Sequence, residues 1–202
     1  MIALIDYGVG NLFSLISSFA AIGQEVTVTG DPEAVRRADK IILPGVGAFR
    51  DAIGLLRESG LDRAVTDAAK GGTPLLGICL GMQLLFDKSL EYGEYEGLHL
   101  IPGVVRPIRD VISPGLKIPH IGWNPLIMKQ ESPIFKYVKD GDCVYFVHSY
   151  YAADCGEYVT AAAEYGAELT ASVQKELVFG CQFHPEKSGE IGLRMLRAFC
   201  EF

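Results

Sequence analysis

The chain has 202 residues, of which 49% are hydrophobic and 21% charged, and its formal net charge is −7. This length and balance are typical of one globular domain, here residues 1–202, and exclude a disordered chain. The acidic charge argues against broad binding to nucleic acid or to an anionic membrane, because both kinds of binding rely on basic patches.

The first half of the chain alternates short apolar runs with helical patterns. The apolar runs predict buried strands over residues 2–7, 26–28, 40–44 and 74–78. Apolar spacing of three and four predicts helices over residues 11–22, 49–58 and 61–70. Such alternation implies parallel strands joined by right-handed crossovers, with helices on both faces of the sheet. Since no basic leader precedes the first run and no apolar stretch approaches ~20 residues, the sequence also predicts a cytoplasmic protein.

Beyond about residue 97 the pattern changes to closely spaced strands, which is typical of hairpins. These strands are predicted over residues 98–108, 143–152, 158–165, 169–174 and 177–183. A last helix, over residues 188–202, has Ser188 and Glu190 available for capping at its start. The predicted fold class is α/β, with a central, mostly parallel sheet flanked by helices and an antiparallel, strand-rich second half.

The five cysteines form no C-x-x-C pair, which argues against a disulfide framework and against a zinc site. We expect four of them to be small buried hydrophobic residues, namely Cys143, Cys155, Cys181 and Cys200. The fifth, Cys79, differs from them because of the sequence around it.

Cys79 lies in a G-x-C-x-G sequence, residues 77–81, directly after a predicted strand. This is the cysteine form of a nucleophile elbow, in which flanking glycines relieve a crowded turn between a strand and a helix. The thiol is expected at the carboxyl edge of the sheet, where open α/β sheets bind ligands. The helix that follows would favour the thiolate. Taken alone, the motif is also compatible with a tight turn around a buried cysteine.

A His-Pro-Glu sequence, residues 184–186, follows the last predicted strand. A nucleophilic thiol needs a base that takes its proton and later returns one to the leaving amine, and imidazole has a suitable pKa. A carboxylate can hold that imidazole in the required tautomer. We therefore predict a catalytic triad of Cys79, His184 and Glu186, in preference to a structural histidine at a strand end.

A third element, residues 41–49, is a buried strand that runs into the glycine-flanked turn Pro-Gly-Val-Gly. Acyl transfer needs donors for a developing oxyanion, commonly the N–H after the nucleophile and one from a neighbouring strand-to-helix loop. We expect Leu80 to supply the first donor and Val46 or Gly47 the second. Without the other two motifs, a plain turn would be the preferred interpretation.

Residues 6–11 only begin like a dinucleotide-binding fingerprint. The third glycine of that pattern would fall at position 13, which is Phe13. The sequence therefore disfavours a nicotinamide cofactor.

Together, these motifs resemble the class I, triad-type glutamine amidotransferases over nearly the whole chain. Within that family, the combination and order of five strings are similar to the glutaminase subunits of imidazole glycerol phosphate synthase: residues 44–49, 77–86, 119–124, 145–150 and 184–188. Other branches share the triad pattern but usually lack the Pro-His-x-Gly-Trp-Asn string of residues 119–124.

The resemblance implies that Cys79 attacks the side-chain amide of glutamine, that His184 transfers the proton and that Glu186 orients His184. Glutamate and ammonia are the products, and no cofactor is implied. Positions that match the glutamine pocket of the family are Gly47, Gln83, Glu91, Ser149 and Tyr150. The choice of Glu91 stays open, because Glu94 and Glu96 lie in the same acidic loop.

The resemblance also implies a partner, a (β/α)₈ cyclase subunit that forms a heterodimer with this chain and receives its ammonia for histidine biosynthesis. Positions that resemble the interface are Asn11, His120, Trp123 and Lys187. Alternatives stay open for three of them: core packing for Trp123, structural hydrogen bonding for His120 and a solvated charge for Lys187.

Two other functions stay open at this point. The chain could be a stand-alone enzyme that hydrolyses another amide or γ-glutamyl bond with the same triad, and its turnover would then be independent of a partner. A non-catalytic binding subunit would ordinarily have lost the nucleophile or the base, whereas this sequence keeps both.

Overall fold

The computed structural model describes all 202 residues. Its six α-helices are α1 Leu12–Ala21, α2 Pro32–Arg36, α3 Phe49–Glu58, α4 Leu61–Lys70, α5 Leu80–Leu84 and α6 Gly189–Cys200. Its strands are β1 Ile2–Ile5, β2 Val26–Thr29, β3 Lys40–Leu43, β4 Leu75–Ile78, β5 Lys88–Ser89, β6 Tyr95–Glu96, β7 Val104–Pro107, β8 His120–Pro125, β9 Ile127–Met128, β10 Cys143–His148, β11 Tyr150–Ala153, β12 Val159–Glu164, β13 Glu168–Lys175 and β14 Val178–Cys181. None of the helices has both the length and the apolar character needed to cross a bilayer.

An eight-stranded sheet runs through the molecule in the order β2-β1-β3-β4-β14-β13-β12-β9. The pairs from β2 to β14 are parallel, and those from β14 to β9 are antiparallel. Two smaller sheets complete the fold, β10-β8 and β11-β7-β5-β6. The predicted fold class is thereby confirmed, whereas the assignment of residues 1–202 to one domain stays a prediction.

Alternate residues of the central strands point to opposite faces of the sheet. On β1, Ala3 and Ile5 belong to a buried cluster with α3 and α4, whereas Leu4 belongs to a second cluster with α1 and α6. Strands that are buried on both faces read as continuous apolar runs, which explains why they stand out in the sequence. The elements that carry the site are therefore fixed from both sides.

Two predicted helices, α3 and α4, match the structure at both ends. The short helix α2 has no predicted counterpart, although Asp31 caps it by accepting a hydrogen bond from the Glu33 N–H at 3.0 Å. The strands β5, β6, β8 and β9 also lack predicted counterparts. Each of these strands is short or carries polar and glycine residues, so that apolar periodicity gives little signal.

The strand predicted over residues 98–108 is wrong in its first half. The N–H groups of Leu98 and Leu100 donate to the carbonyls of Leu84 and Leu85, at 2.8 and 2.9 Å. These residues therefore cover the end of α5, and the strand begins only at Val104. Local apolar character identified the burial of this segment but not its backbone partners.

The strand predicted over residues 143–152 is divided at Ser149. Its first part, β10, pairs with β8, and its second part, β11, pairs with β7 in another sheet. The division turns Ser149 and Tyr150 toward the cleft described below. Among the four cysteines predicted to be buried, Cys155 and Cys181 are buried, whereas Cys143 is exposed and Cys200 only partly buried, which corrects the prediction for these two.

Candidate active site

Cys79 lies in a strained turn between β4 and α5, with a φ of 55° that L-residues rarely adopt. Its N–H donates to the Cys181 carbonyl at 2.8 Å, which ties the turn to β14. A Cβ on Gly81 would collide with the Leu43 carbonyl, and one on Gly77 would lie 2.7 Å from the Gly81 carbonyl oxygen. Only glycine fits at these two positions, because Gly81 is pressed against the end of β3 and Gly77 against the backbone of α5.

His184 and Glu186 form a buried pair directly after β14. The Nδ1 atom of His184 lies 2.8 Å from Oε1 of Glu186, and the two side chains are 4% and 1% exposed. Burial by itself lowers the pKa of His184, but hydrogen bonds to Cys79 and Glu186 and the charges of both groups outweigh it and raise the pKa to about 10. With Nδ1–H donated to the carboxylate, Nε2 is left for the sulfur of Cys79.

The loop that carries His184 is fastened to β10 by Ser188. The Ser188 hydroxyl donates to the His184 carbonyl at 2.6 Å and accepts from the Tyr145 N–H at 3.0 Å. The His184 N–H donates to the Tyr145 carbonyl at 2.9 Å. Ser188 therefore makes no capping hydrogen bond to α6, which corrects the prediction that its side chain caps this helix.

The Pro-Gly-Val-Gly turn lies beside the elbow, so that Val46, Gly47 and Leu80 line the same cleft as Cys79. Gly47 has a φ of 93°, in the region that favours glycine. Leu80 is the first residue of α5, and its N–H has no intrahelical acceptor. These three residues stay the predicted oxyanion donors.

Tyr7 supports this turn, and sequence reasoning missed it. Its hydroxyl donates to the Pro44 carbonyl at 2.7 Å. Burial in the first place, and the charge of Cys79 in the second, raise the pKa of Tyr7 well above its usual range, so its hydroxyl keeps its proton. Its position at the end of β1, the strand next to β3, was the only signal for this role.

The cleft at the elbow has a volume of about 520 Å³ and is lined by 16 residues. All five residues predicted for the glutamine pocket line it together with Cys79 and His184: Gly47, Gln83, Glu91, Ser149 and Tyr150. Six residues for which no site role was predicted also line it: Tyr92, Arg109, Ile118, Pro119, Val147 and His148. A larger and more open groove, of about 670 Å³, involves only residues between 128 and 138 and contains none of the predicted site. We assign the candidate site to the smaller cleft because it holds the predicted nucleophile, Cys79.

Glu91 is the only one of the three acids in its loop that lines this cleft. Its Oε2 accepts from the Phe49 N–H at 2.6 Å, at the start of α3. Burial is the main cause that raises the pKa of Glu91 above its ordinary value. Glu94 forms an exposed ion pair with Lys88, and Glu96 is exposed as well. Glu91 therefore stays the acid predicted for the glutamine pocket, because Glu94 and Glu96 do not line the cleft.

Gln83 lies on α5 and is buried. Its Nε2 donates to the Tyr150 carbonyl at 3.2 Å and to Oε1 of Gln182 at 2.9 Å. Both amide hydrogens are used in this way, so the group can offer a ligand only the acceptor Oε1.

The four predicted interface residues occupy different environments. Trp123 is 54% exposed and packs edge-on against Tyr145, with ring centroids 5.9 Å apart, so it is not a core residue. Lys187 lines the cleft, with Nζ 5.9 Å from the centroid of the Tyr145 ring. Asn11 precedes α1 and makes no capping hydrogen bond.

His120 is only 1% exposed. Its ring nitrogens lie 3.0 Å from Nε2 of His148 and 2.8 Å from Oδ1 of Asn124, and the ring stacks on Tyr165. The structure therefore favours the alternative interpretation of His120 as a structural hydrogen-bonding residue. No group of three or more His, Cys, Asp or Glu side chains is arranged to hold a metal ion.

Comparison with known proteins places this site in a family. The model of the family "Glutamine amidotransferase class-I" matches residues 3–201. The chain belongs to the class-I glutamine amidotransferases. Within this family, it is 49% identical over 202 residues to the imidazole glycerol phosphate synthase subunit HisH of Geobacillus sp. strain WCH70, with 98% of this chain and 95% of the relative covered. The HisH subunit of Caldanaerobacter subterraneus subsp. tengcongensis is 47% identical, with 100% and 98% covered.

Solved structures share the amidotransferase fold at much lower identity. A glutamine amidotransferase crystal structure superimposes with a TM-score of 0.77 at 20% identity, covering 100% of this chain and 98% of the other. A chain of the PurLQS structure from Thermotoga maritima gives a TM-score of 0.77 at 20% identity, with 98% and 96% covered. These likenesses support the fold alone.

Proposed function

We propose that the chain is the glutaminase subunit of an imidazole glycerol phosphate synthase. It hydrolyses glutamine to glutamate and ammonia, and it passes the ammonia to a (β/α)₈ cyclase subunit in a heterodimer that serves histidine biosynthesis. The observation that carries the proposal is the strained Cys79 turn beside the buried His184–Glu186 pair, in a cleft that also holds Glu91 and Gln83. The named relatives at 47–49% identity support the choice of synthase.

In the first half-reaction, Cys79 gives its proton to Nε2 of His184 and attacks the side-chain carbonyl carbon of glutamine. Glu186 holds Nδ1–H and stabilises the imidazolium. The tetrahedral intermediate places its oxyanion at the N–H of Leu80 and at the Val46–Gly47 turn. When the C–N bond breaks, His184 returns the proton to the leaving amine, and ammonia departs from a thioester on Cys79.

In the second half-reaction, water attacks the thioester carbonyl carbon and loses a proton to His184. The C–S bond breaks, the sulfur takes the proton back, and glutamate leaves. The cleft is suited to the amino-acid end of this substrate, since the Glu91 carboxylate and Oε1 of Gln83 can accept from an ammonium group. Backbone and hydroxyl groups of Ser149 and Tyr150 can hold the carboxylate.

The partner binds the surface formed by the outward faces of β8 and β10. Ile121 and Trp123 are 58% and 54% exposed on this surface, next to Tyr145 and to Lys187 at the mouth of the cleft. Exposed aromatic and aliphatic side chains of this kind are typical of interface anchors. A partner bound there would close the cleft above Cys79, so that ammonia leaves toward the partner and not toward the solvent.

The Pro-Gly-Val-Gly turn offers a means for the partner to activate the enzyme. Gly47 can reverse the direction of a neighbouring N–H with little steric cost, so binding of the partner need only favour the orientation that completes the oxyanion site. One oxyanion donor is typically worth about 10²–10³ in kcat. We therefore expect a weak glutaminase when the chain is alone and a much faster one in the complex.

The experiment measures glutamine hydrolysis by the chain alone, with the cyclase subunit, and with the cyclase subunit plus an analogue of its acceptor. Equal kcat in all three would contradict the partner-dependent function and favour the stand-alone hydrolase. In the complex, Cys79→Ser should abolish glutamine-dependent activity and leave activity with added ammonia intact, because only glutamine hydrolysis uses the thiol. Cys143→Ser, at an exposed thiol outside the cleft, is the matched control.

A further inference from the structure

Gln182 is a buried amide beside the nucleophile, and neither the triad nor the glutamine pocket accounts for it. The residue is 0% exposed and lies between the end of β14 and His184. Its Nε2 lies 3.7 Å from Sγ of Cys79, within the range of an N–H···S hydrogen bond. Its Oε1 accepts from Nε2 of Gln83 at 2.9 Å.

The direction of these hydrogen bonds is set by a backbone group. The Tyr150 carbonyl can only accept, so the Gln83 atom 3.2 Å from it must be the donor Nε2. The second hydrogen of the same Nε2 points to Gln182, which must therefore present Oε1 to Gln83. The remaining end of the Gln182 amide, Nε2, then faces the sulfur of Cys79. The chain of bonds from Tyr150 to Cys79 thus has one consistent polarity.

We infer that Gln182 is a catalytic residue that donates an N–H to the Cys79 sulfur and stabilises its thiolate, and that Gln83 is the positioning residue that keeps this donor facing the sulfur. The inference rests on the proposed function, in which Cys79 is the nucleophile. It gives Gln83 a second task besides lining the glutamine pocket.

Burial makes this donor important. Cys79 is only 8% exposed, so little water reaches a thiolate there, and protein donors must replace that hydration. His184 supplies one donor, and Gln182 supplies another from a fixed direction. A hydrogen bond to a charged group is stronger than a neutral one, and its loss leaves the charge uncompensated.

The test follows alkylation of Cys79 by iodoacetamide across a pH series, measured by peptide mass spectrometry so that the other thiols do not interfere. Gln182→Met keeps the bulk and removes the donor. We expect it to slow the alkylation of Cys79 at neutral pH by about 10- to 100-fold, because the lost bond involves a charged group. In the complex, kcat with glutamine should fall about 10- to 100-fold with little change in KM, and activity with added ammonia should be unchanged.

Gln174→Met is the matched control. Nε2 of Gln174 also donates to a carbonyl, that of Glu176 at 3.0 Å, but its side chain lies outside the cleft. This variant should leave the alkylation profile unchanged. A merely structural role for Gln182 would lower thermal stability without moving that profile.

Gln83→Glu tests the direction of the hydrogen bonds between Tyr150 and Cys79. A carboxylate cannot donate to Gln182, so the Gln182 amide should turn and present Oε1 to the sulfur, which again slows the alkylation of Cys79. The part of this effect that runs through the amide should disappear in the Gln182→Met background, whereas direct repulsion between the new carboxylate and the thiolate should remain. An unchanged alkylation profile in folded Gln182→Met, or in Gln83→Glu if the first variant does not fold, would overturn the inference.

An NMR measurement on the wild-type chain tests the inference without a variant. The side-chain amide of Gln182 should show an NMR titration that follows ionisation of Cys79, and a flat titration would also overturn the inference. Failure of the proposed function is distinguishable, because it would appear as glutamine-dependent activity that survives Cys79→Ser.

Discussion

Two buried histidines, His184 and His148, line the candidate active-site cleft, and their pKa values are shifted in opposite directions. The pKa of His184 is raised to about 10, whereas that of His148 is lowered to about 4. Burial lowers the pKa of both rings. The difference lies in their partners. The charges of Glu186 and Cys79 raise the pKa of His184. His148 contacts the Tyr150 carbonyl, and the charges of the His120 and His184 rings lower its pKa further. The charge of the partner therefore decides the protonation of a buried imidazole here.

The two rings differ as a proposed proton carrier, His184, and a structural support, His148, would differ. His184 can hold a proton between two anionic groups, as the proposed mechanism requires. His148 is neutral at pH 7, and its Nδ1–H donates to the Tyr150 carbonyl at 2.7 Å. The same carbonyl accepts from Gln83, so the neutral histidine helps to fix the wall of the glutamine pocket.

The largest effect should follow from removing the proton carrier. We expect His184→Ala to lower kcat for glutamine by about 10⁶-fold, as loss of the base does in a triad. Activity of the complex with added ammonia should not change. Steady-state rates with glutamine and with ammonia as alternative nitrogen donors check this prediction, and a His184→Ala variant with substantial glutamine turnover would remove His184 from the mechanism.

A smaller loss should follow from changing the partner and keeping the ring. Glu186→Gln retains the shape but removes the charge, so we expect kcat to fall by about 10⁴-fold, less than for His184→Ala. The pKa of His184, measured by NMR, should fall below its wild-type value, toward that of His148. If Glu186→Gln were the more damaging of the two folded variants, the assigned roles would be reversed.

The third prediction concerns stability against acid. His148 is neutral in the folded chain down to about pH 4 but takes a proton near pH 6.5 when unfolded. The unfolded state thus binds more protons between these values, and the contribution of His148 to stability is lost as the pH falls from about 6.5 to about 4. A one-unit difference in pKa corresponds to about 1.4 kcal/mol, so this loss is a few kcal/mol at most.

Urea unfolding at a series of pH values measures this loss of stability at acid pH. His148→Asn can still donate to the Tyr150 carbonyl. In this variant, the free energy of unfolding should depend less on pH between about pH 6.5 and 4. His184 has the opposite sign, since its raised pKa contributes stability that is lost as the pH rises from about 6.5 toward 10. If the free energy of unfolding fell equally steeply with pH in His148→Asn and in the wild type, another group would be responsible for the loss.

The smallest effect on the stability of the chain is expected for a variant on the outer face of β8, the strand that also carries His120. Because Trp123 is exposed, Trp123→Ala should change the free energy of unfolding by no more than about 0.5 kcal/mol and leave both histidine pKa values unaltered. Binding of the cyclase subunit should weaken by about tenfold or more, as for an interface hot spot. Isothermal titration calorimetry checks the binding, and wild-type affinity would exclude Trp123 from the interface.

The sequence by itself determined the fold class and the candidate nucleophile and base. Helices α3 and α4 and the buried strands β1, β3 and β4 could be predicted because their apolar spacing reflects burial along one continuous segment. The prediction that residues 26–28 form a buried strand is wrong in its burial, because β2 lies at the edge of the sheet and has no buried residue. The elbow around Cys79 and the His-Pro-Glu string were visible because each is a short local motif with its own backbone requirements.

Only the tertiary structure decided which groups meet across the chain. Residues 98–101 bond to the end of α5, the strand predicted over residues 143–152 divides at Ser149, and Ser188 holds the His184 loop and does not cap a helix. The contacts of Tyr7 with Pro44 and of Gln182 with Cys79 also join residues that are distant in the sequence. The physical reason is that hydrogen-bond polarity and the pKa of a buried group depend on partners distant in sequence, which local periodicity does not encode.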